Sequence, residues 1–168
     1  MTSATPSELA GGPDTPEQAA RSINADDLPL HQGRHLGYSR WHLVTQDRID
    51  RFADATADHS WLHVDPERAA RGRFGATVAH GFLTLALFTG LLDEIVRIDG
   101  AITTINYGVN RVRFPAAVRT GARVRLGVVL ARVDQVDGGV QATWQGTFEI
   151  EEEPKPACVA EVLFRYYP

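Results

Sequence analysis

The sequence predicts an α+β domain, a curved antiparallel sheet wrapped around one long buried helix. Three observations predict it. From residue 81 to about residue 98, apolar residues recur on every side of a helix, among them Phe82, Leu85, Leu87, Phe88, Leu91, Leu92, Ile95 and Val96. A helix without a polar face is buried on most sides. After Gly100 come four runs of strand length, residues 102–114, 122–133, 140–150 and 157–166, rich in β-branched and aromatic residues. Asp137-Gly138-Gly139 is a hairpin signal between two of them. Pro115 and Gly121 separate the first pair, and Pro154-Lys155-Pro156 breaks the last. With no internal repeat, the expectation is one domain over residues 23–168, behind a leader at residues 1–22. A sheet wrapped on one helix leaves edges to protect, which dimerisation would do.

The elements follow in order. The leader is rich in Ser, Thr, Pro, Gly and Ala, with Gly11-Gly12-Pro13 inside it; such a segment buries little apolar surface and is expected to be flexible. Asp26-Asp27-Leu28-Pro29-Leu30 reads as a short helix or an irregular arm. Residues 37–44 read as a first strand with Tyr38, Trp41 and Leu43 as packing residues. Thr45 can cap a helix whose first turn holds Gln46 and Asp47. Ile49, Phe52 and Ala53 then share one face at helical spacing. Residues 58–66 are expected to be a loop. Asp65-Pro66 starts a short second helix over 67–71, with Asp65 as N-cap and Pro66 at the first helical position.

Composition excludes several classes. The 168 residues carry 17 Lys and Arg against 21 Asp and Glu, a net charge of −4, and no basic stripe of the kind nucleic-acid binding requires. Cys158 is the single cysteine, so no disulfide forms within the chain, which fits a reducing compartment. The start of the chain lacks a basic region followed by an apolar core, so no secretory signal is expected. The longest apolar run, residues 82–92, is too short to span a bilayer. A cytoplasmic protein with neither membrane nor nucleic-acid partners is expected.

The chemistry concentrates in Asp58-His59-Ser60-Trp61-Leu62-His63 and in Ala79-His80-Gly81-Phe82. A carboxylate and an imidazole stand five residues apart, and a glycine opens the apolar helix shortly afterwards. An acid/base pair beside a helix N-terminus is what proton transfer next to a thioester carbonyl needs. The helix supplies N–H donors and a favourable dipole for a developing oxyanion. An Asp in a loop also commonly bonds its own backbone, which is the bland reading of Asp58. His59 and His63 stand four apart, as do His31 and His35. A metal site would need such pairs on helices with further ligands, so no metal and no cofactor is expected.

In this order and spacing the motifs resemble the MaoC-like, (R)-specific enoyl-CoA hydratases and dehydratases, in particular the branch named after nodulation protein N. The carriers are Phe52-Ala-Asp-Ala-Thr, Asp58-x4-His63-Val-Asp-Pro-Glu-Arg-Ala-Ala and Phe74-Gly-x-Thr-x-Ala-His-Gly-Phe-Leu-Thr-Leu. Further along stand Ile105-Asn-Tyr-Gly-x-Asn-Arg-Val-Arg-Phe-Pro115 and Lys155-Pro-Ala-Cys-Val-Ala-Glu161. The resemblance implies a hot-dog fold, a homodimer, and acyl-CoA or acyl-carrier-protein thioesters as substrates. It puts the catalytic pair on Asp58 and His63, the oxyanion-hole amide on Gly81 and a supporting hydroxyl on Thr89. Ser60 and His80 are expected to support the site, while Phe82, Arg111 and Arg113 are candidates for substrate contact. Two departures stand out: Ala57 replaces the family's usual Gly, and Ser60 replaces its usual Asn or Gln.

The resemblance implies hydration of 2-enoyl thioesters to 3-hydroxyacyl thioesters, or the reverse. Two other readings use the same residues. One is a hot-dog thioesterase that aims water at the carbonyl; the other is a repurposed or non-catalytic subunit in a specialised pathway.

Overall fold

The computed structural model describes residues 20–168. The leader expected at residues 1–22 lies outside them up to residue 19, and its last two residues, Arg21 and Ser22, belong to a strand. That strand, β1 (Arg21–Asn24), leads into a 3₁₀ helix (Ala25–His31) that buries Leu28 completely. β2 (His35–Tyr38) and β3 (His42–Leu43) follow, then α1 (Gln46–Thr56), α2 (Trp61–Val64) and α3 (Pro66–Ala70). The central helix is α4 (Gly81–Ala86) continued by α5 (Phe88–Ile95). β4 (Val96–Asp99), β5 (Thr103–Arg113), β6 (Arg123–Val136), β7 (Gly139–Ile150) and β8 (Cys158–Tyr167) complete the chain.

The antiparallel main sheet has the order β2-β6-β7-β8-β5, and β3 also pairs with β6. The β6–β7 hairpin closes at the expected turn, with Val136 opposite Gly139. β8 shows how the sequence builds a one-sided sheet: buried Cys158, Ala160, Val162, Phe164 and Tyr166 alternate with half-buried residues. Leu83, Phe88, Leu91, Leu92 and Ile95 of the helix bury against this face. The fit is close at Gly146, where a Cβ would lie 2.2 Å from the Phe88 ring. Burial of a side chain such as Phe88 contributes roughly 1.5–3 kcal/mol.

Several expectations need correction. The strand over 37–44 is two strands. Over residues 36–44 the buried ones are Leu36, Ser39, His42 and Val44, whereas Tyr38 and Leu43 are 46% and 48% exposed. Tyr38 and Trp41 pack outside, where the Arg125 guanidinium lies 4.3 and 4.6 Å from their rings. The helix ends at Ile95, not near residue 98, because β-branched Val96 and Ile98 enter β4, which pairs in parallel with β1. Leu87 keeps helical angles while its N–H is shared between the Leu83 and Thr84 carbonyls, so α4 and α5 act as one helix with a tightened turn. The helix is not buried all round: Phe82 is 70% exposed, and Ala86, Thr89 and Gly90 are exposed too. β5 and β6 do not pair; β5 crosses to the far edge beside β8.

Candidate active site

Two local devices set the position of Asp58. Thr45 caps α1 by accepting from the Arg48 N–H at 3.2 Å, as its place in the sequence predicts. At the other end α1 stops at Ala57, which takes the left-handed conformation with φ 57° and ψ 22°. This conformation is where helices usually end on glycine. Ala57, where the resemblance implies Gly, therefore stands at a position that strains an L-residue by about 1–2 kcal/mol. The chain turns sharply there, and the Asp58 side chain is 56% exposed. One Asp58 carboxylate oxygen accepts from the Ser60 N–H at 3.3 Å, and its backbone carbonyl accepts from His80 Nε2 at 2.9 Å.

His63 sits on α2, a single helical turn where a loop was expected. The Ser60 carbonyl holds its N–H at 2.8 Å, and its Nδ1 lies 2.7 Å from the Val78 carbonyl. A carbonyl only accepts, so Nδ1 carries a hydrogen, and of the two neutral tautomers the one with its lone pair on Nε2 fits this contact. Asp65 and Pro66 then start α3 as predicted, with Asp65 accepting from the Arg68 N–H at 3.0 Å.

His80 is buried and stacks on His63 with ring centroids 3.7 Å apart, and Phe52 packs against it at 5.0 Å. Asp58, His63 and His80 each bring a polar atom to within 4.8 Å of the others. Between two groups at that separation a water can hydrogen-bond to both, since each bond spans roughly 2.8 Å. Nε2 of His80 is committed as a donor to the Asp58 carbonyl, and its Nδ1 is buried with no hydrogen-bond partner.

Gly81 follows His80 and opens the helix, so its N–H is among the groups that no helical carbonyl satisfies. The need for glycine there has a specific cause: a Cβ would lie 2.9 Å from the ring of Phe114. Phe114 in turn meets Phe82 edge to face at 5.9 Å. Phe82 lines a cavity of about 250 Å³ with Leu85, Thr89, Asn106 and Val109. Thr89 and Asn106 also line a second cavity of about 500 Å³ that reaches Asp93 and Tyr166. Burial raises the Asp93 carboxyl above its ordinary range, with Arg97 opposing.

The structure thus brings Asp58, Ser60, His63 and His80 together, with Gly81 adjoining. It leaves Thr89 eight residues further along the helix, roughly 12 Å by helical rise, facing the cavities. Arg111 and Arg113 are not brought to the cluster: they lie opposite Glu161 and Val159, on the sheet face away from the helix. Phe114, Gln46, Thr77 and the Val78 carbonyl were not anticipated. Motif spacing cannot show a backbone carbonyl's role, and contacts from Phe114 to Gly81 depend on strand pairing.

A helix cradled in a curved antiparallel sheet defines a hot-dog domain, here with an Asp/His pair beside the N-terminus of the helix. The model of the MaoC like domain matches residues 29–149, and the chain belongs to that family. It is 51% identical over 141 residues to 3-hydroxyacyl-thioester dehydratase Z of Mycobacterium tuberculosis, covering 83% of this chain and 93% of that one. It is 46% identical over 142 residues to nodulation protein N of Rhizobium leguminosarum bv. viciae, covering 82% and 88% respectively. Its fold matches the (R)-hydratase from A. caviae involved in PHA biosynthesis, with a TM-score of 0.65 at 24% identity over 82% of this chain and 99% of that one. No helix among the described residues is long and apolar enough to cross a membrane.

Proposed function

We propose that this protein interconverts 2-enoyl and (R)-3-hydroxyacyl thioesters by acid–base catalysis, without a metal or cofactor, in the cytoplasm. The observation that carries the reading is the Asp58–His63 pair, within reach of one shared water, with the His63 proton fixed on Nδ1. In the hydration direction this water adds to Cβ. Nε2 of His63 and the Asp58 carboxylate hold the water between them; one of them takes a proton from it as the hydroxyl adds to Cβ, and the pair then delivers that same proton to Cα, so both groups end as they began. Charge passing through the thioester oxygen is met by the Gly81 N–H and the helix dipole. Dehydration retraces the path. The similarity to 3-hydroxyacyl-thioester dehydratase Z supports the acyl-thioester substrate.

Phe82 lines the 250 Å³ cavity and meets Phe114 edge to face; these two exposed rings suit the thioester arm, while the cavity itself takes the acyl chain. The protein acts as a homodimer. Among the described residues β5 ends the sheet with its outer edge unpaired, and it exposes Ile105, Tyr107 and Val109; such an edge is normally covered.

The test is to follow 2-enoyl thioester absorbance over a series of chain lengths, on CoA and on carrier protein, together with a thiol reagent. Loss of absorbance with (R)-3-hydroxyacyl product and no free thiol is expected. Thiol release in step with substrate loss would replace this reading with a thioesterase.

A further inference from the structure

Gln46 opens α1 and lies 17 residues before His63, outside every motif that marks the site. Its side-chain amide is fully used. Nε2 donates to the His63 backbone carbonyl at 2.8 Å and to Asp50 Oδ1 at 2.8 Å, and Oε1 accepts from the Thr77 hydroxyl. The orientation is fixed by chemistry. A carbonyl and a carboxylate oxygen can only accept, so the NH₂ must face both and the amide oxygen must face Thr77. Thr77 is buried, at 1% exposure, so its hydroxyl has little access to water as a substitute partner.

The connections converge on one residue. Thr77 precedes Val78, whose carbonyl accepts the hydrogen bond from His63 Nδ1–H and whose N–H donates to the Leu62 carbonyl at 3.1 Å. One side chain therefore ties the two ends of the His63 hydrogen bond together: the backbone that carries the imidazole, and the segment that carries its acceptor.

We infer that Gln46, anchored by Thr77, is a positioning residue that holds His63 in register with the Val78 carbonyl and so fixes the ring as the Nδ1–H tautomer. The inference rests on the reading of His63 as an acid–base group, but its main readout does not depend on activity.

The test uses the full chain with Gln46→Met, which keeps the length of the side chain and removes its hydrogen bonds, and with Thr77→Val and Thr77→Ser. Nitrogen-15 and proton spectra of the imidazole report the His63 tautomer, and steady-state hydration of crotonyl-CoA reports kcat and KM. The wild type is expected to show a single Nδ1–H form. Gln46→Met is expected to show exchange between tautomers and a fall in kcat of roughly ten- to a hundredfold, the scale of a misplaced catalytic group, with KM within about twofold. Thr77→Val should move both readouts the same way by less, and Thr77→Ser should restore them. A folded Gln46→Met protein, or a folded Thr77→Val protein should the first not fold, with an unchanged single Nδ1–H spectrum overturns the inference. If the wild type hydrates no enoyl thioester, the proposed function fails, while the tautomer comparison still decides the role of Gln46.

Discussion

His63 donates its Nδ1 proton to the Val78 carbonyl across 2.7 Å, and this bond decides which ring nitrogen keeps a lone pair. The acceptor is backbone, so the Val78 side chain contributes packing only; it is 3% exposed. Val78→Ala should therefore lower stability by about 2 kcal/mol, as deletion of buried methyl groups does, while kcat stays within about threefold of wild type. Denaturant unfolding and initial rates check the two halves. A large loss of kcat in a folded Val78→Ala protein would mean that the side chain takes part.

Gly81 and Phe114 form the second testable pair. A methyl at residue 81 would lie 2.9 Å from the Phe114 ring, so Gly81→Ala must move the ring or the helix start. Overpacking of this kind costs roughly 1–3 kcal/mol. Activity should fall by at least tenfold, because the shift displaces the N–H to which the proposed function assigns the oxyanion. Gly81→Ala with Phe114→Leu should recover part of both losses, and a double-mutant cycle on stability and kcat measures the coupling. Additive losses would show that the ring is not the reason for glycine.

Ala57 offers a gain. With φ at 57° it occupies the left-handed region at a cost of about 1–2 kcal/mol. Ala57→Gly removes this cost but adds freedom to the unfolded chain. A net stabilisation of roughly 0.5–1 kcal/mol is expected in chemical denaturation, and Ala57→Val should be destabilised relative to wild type. The residue adjoins Asp58, so its left-handed conformation affects the rigidity of the turn that carries the Asp58 carboxylate.

Cys158 gives the fold a specific response to alkali. Burial pushes its thiol up to about 12 from an ordinary 9.0, so the folded state keeps its proton where the unfolded chain loses it. Between about pH 9 and 12 the unfolded state binds fewer protons, and stability falls as pH rises, by up to about 1.4 kcal/mol per unit from this group. The slope of unfolding free energy against pH should be shallower in Cys158→Ala over that window. Alkylation of the wild type at pH 8 should track unfolding.

Much of this architecture was legible because it is local. The cap at Thr45, the Asp65-Pro66 start, the hairpin at Asp137-Gly138 and the alternation in β8 each occupy a few consecutive residues. What escaped is long-range. Val96–Asp99 continues an apolar run and reads as helix until Arg21–Asn24 arrives to pair with it. Tyr38 and Leu43 are apolar enough for the core, yet strand register turns them outward. The motif marked Asp58, His63 and Gly81 as candidates for the chemistry, and the structure places them beside one another. The partners that orient them, Gln46, the Val78 carbonyl and Phe114, come from other elements and have no signature at fixed spacing.

The most direct measurement of the central claim is the initial rate of crotonyl-CoA hydration, and of longer 2-enoyl-CoAs, by the wild type, Asp58→Asn and His63→Ala, with folding checked by circular dichroism. The acid–base account predicts turnover to (R)-3-hydroxyacyl-CoA by the wild type and a loss of about 10²–10⁴-fold in each variant. A folded Asp58→Asn protein that keeps more than about a tenth of the wild-type rate would contradict it.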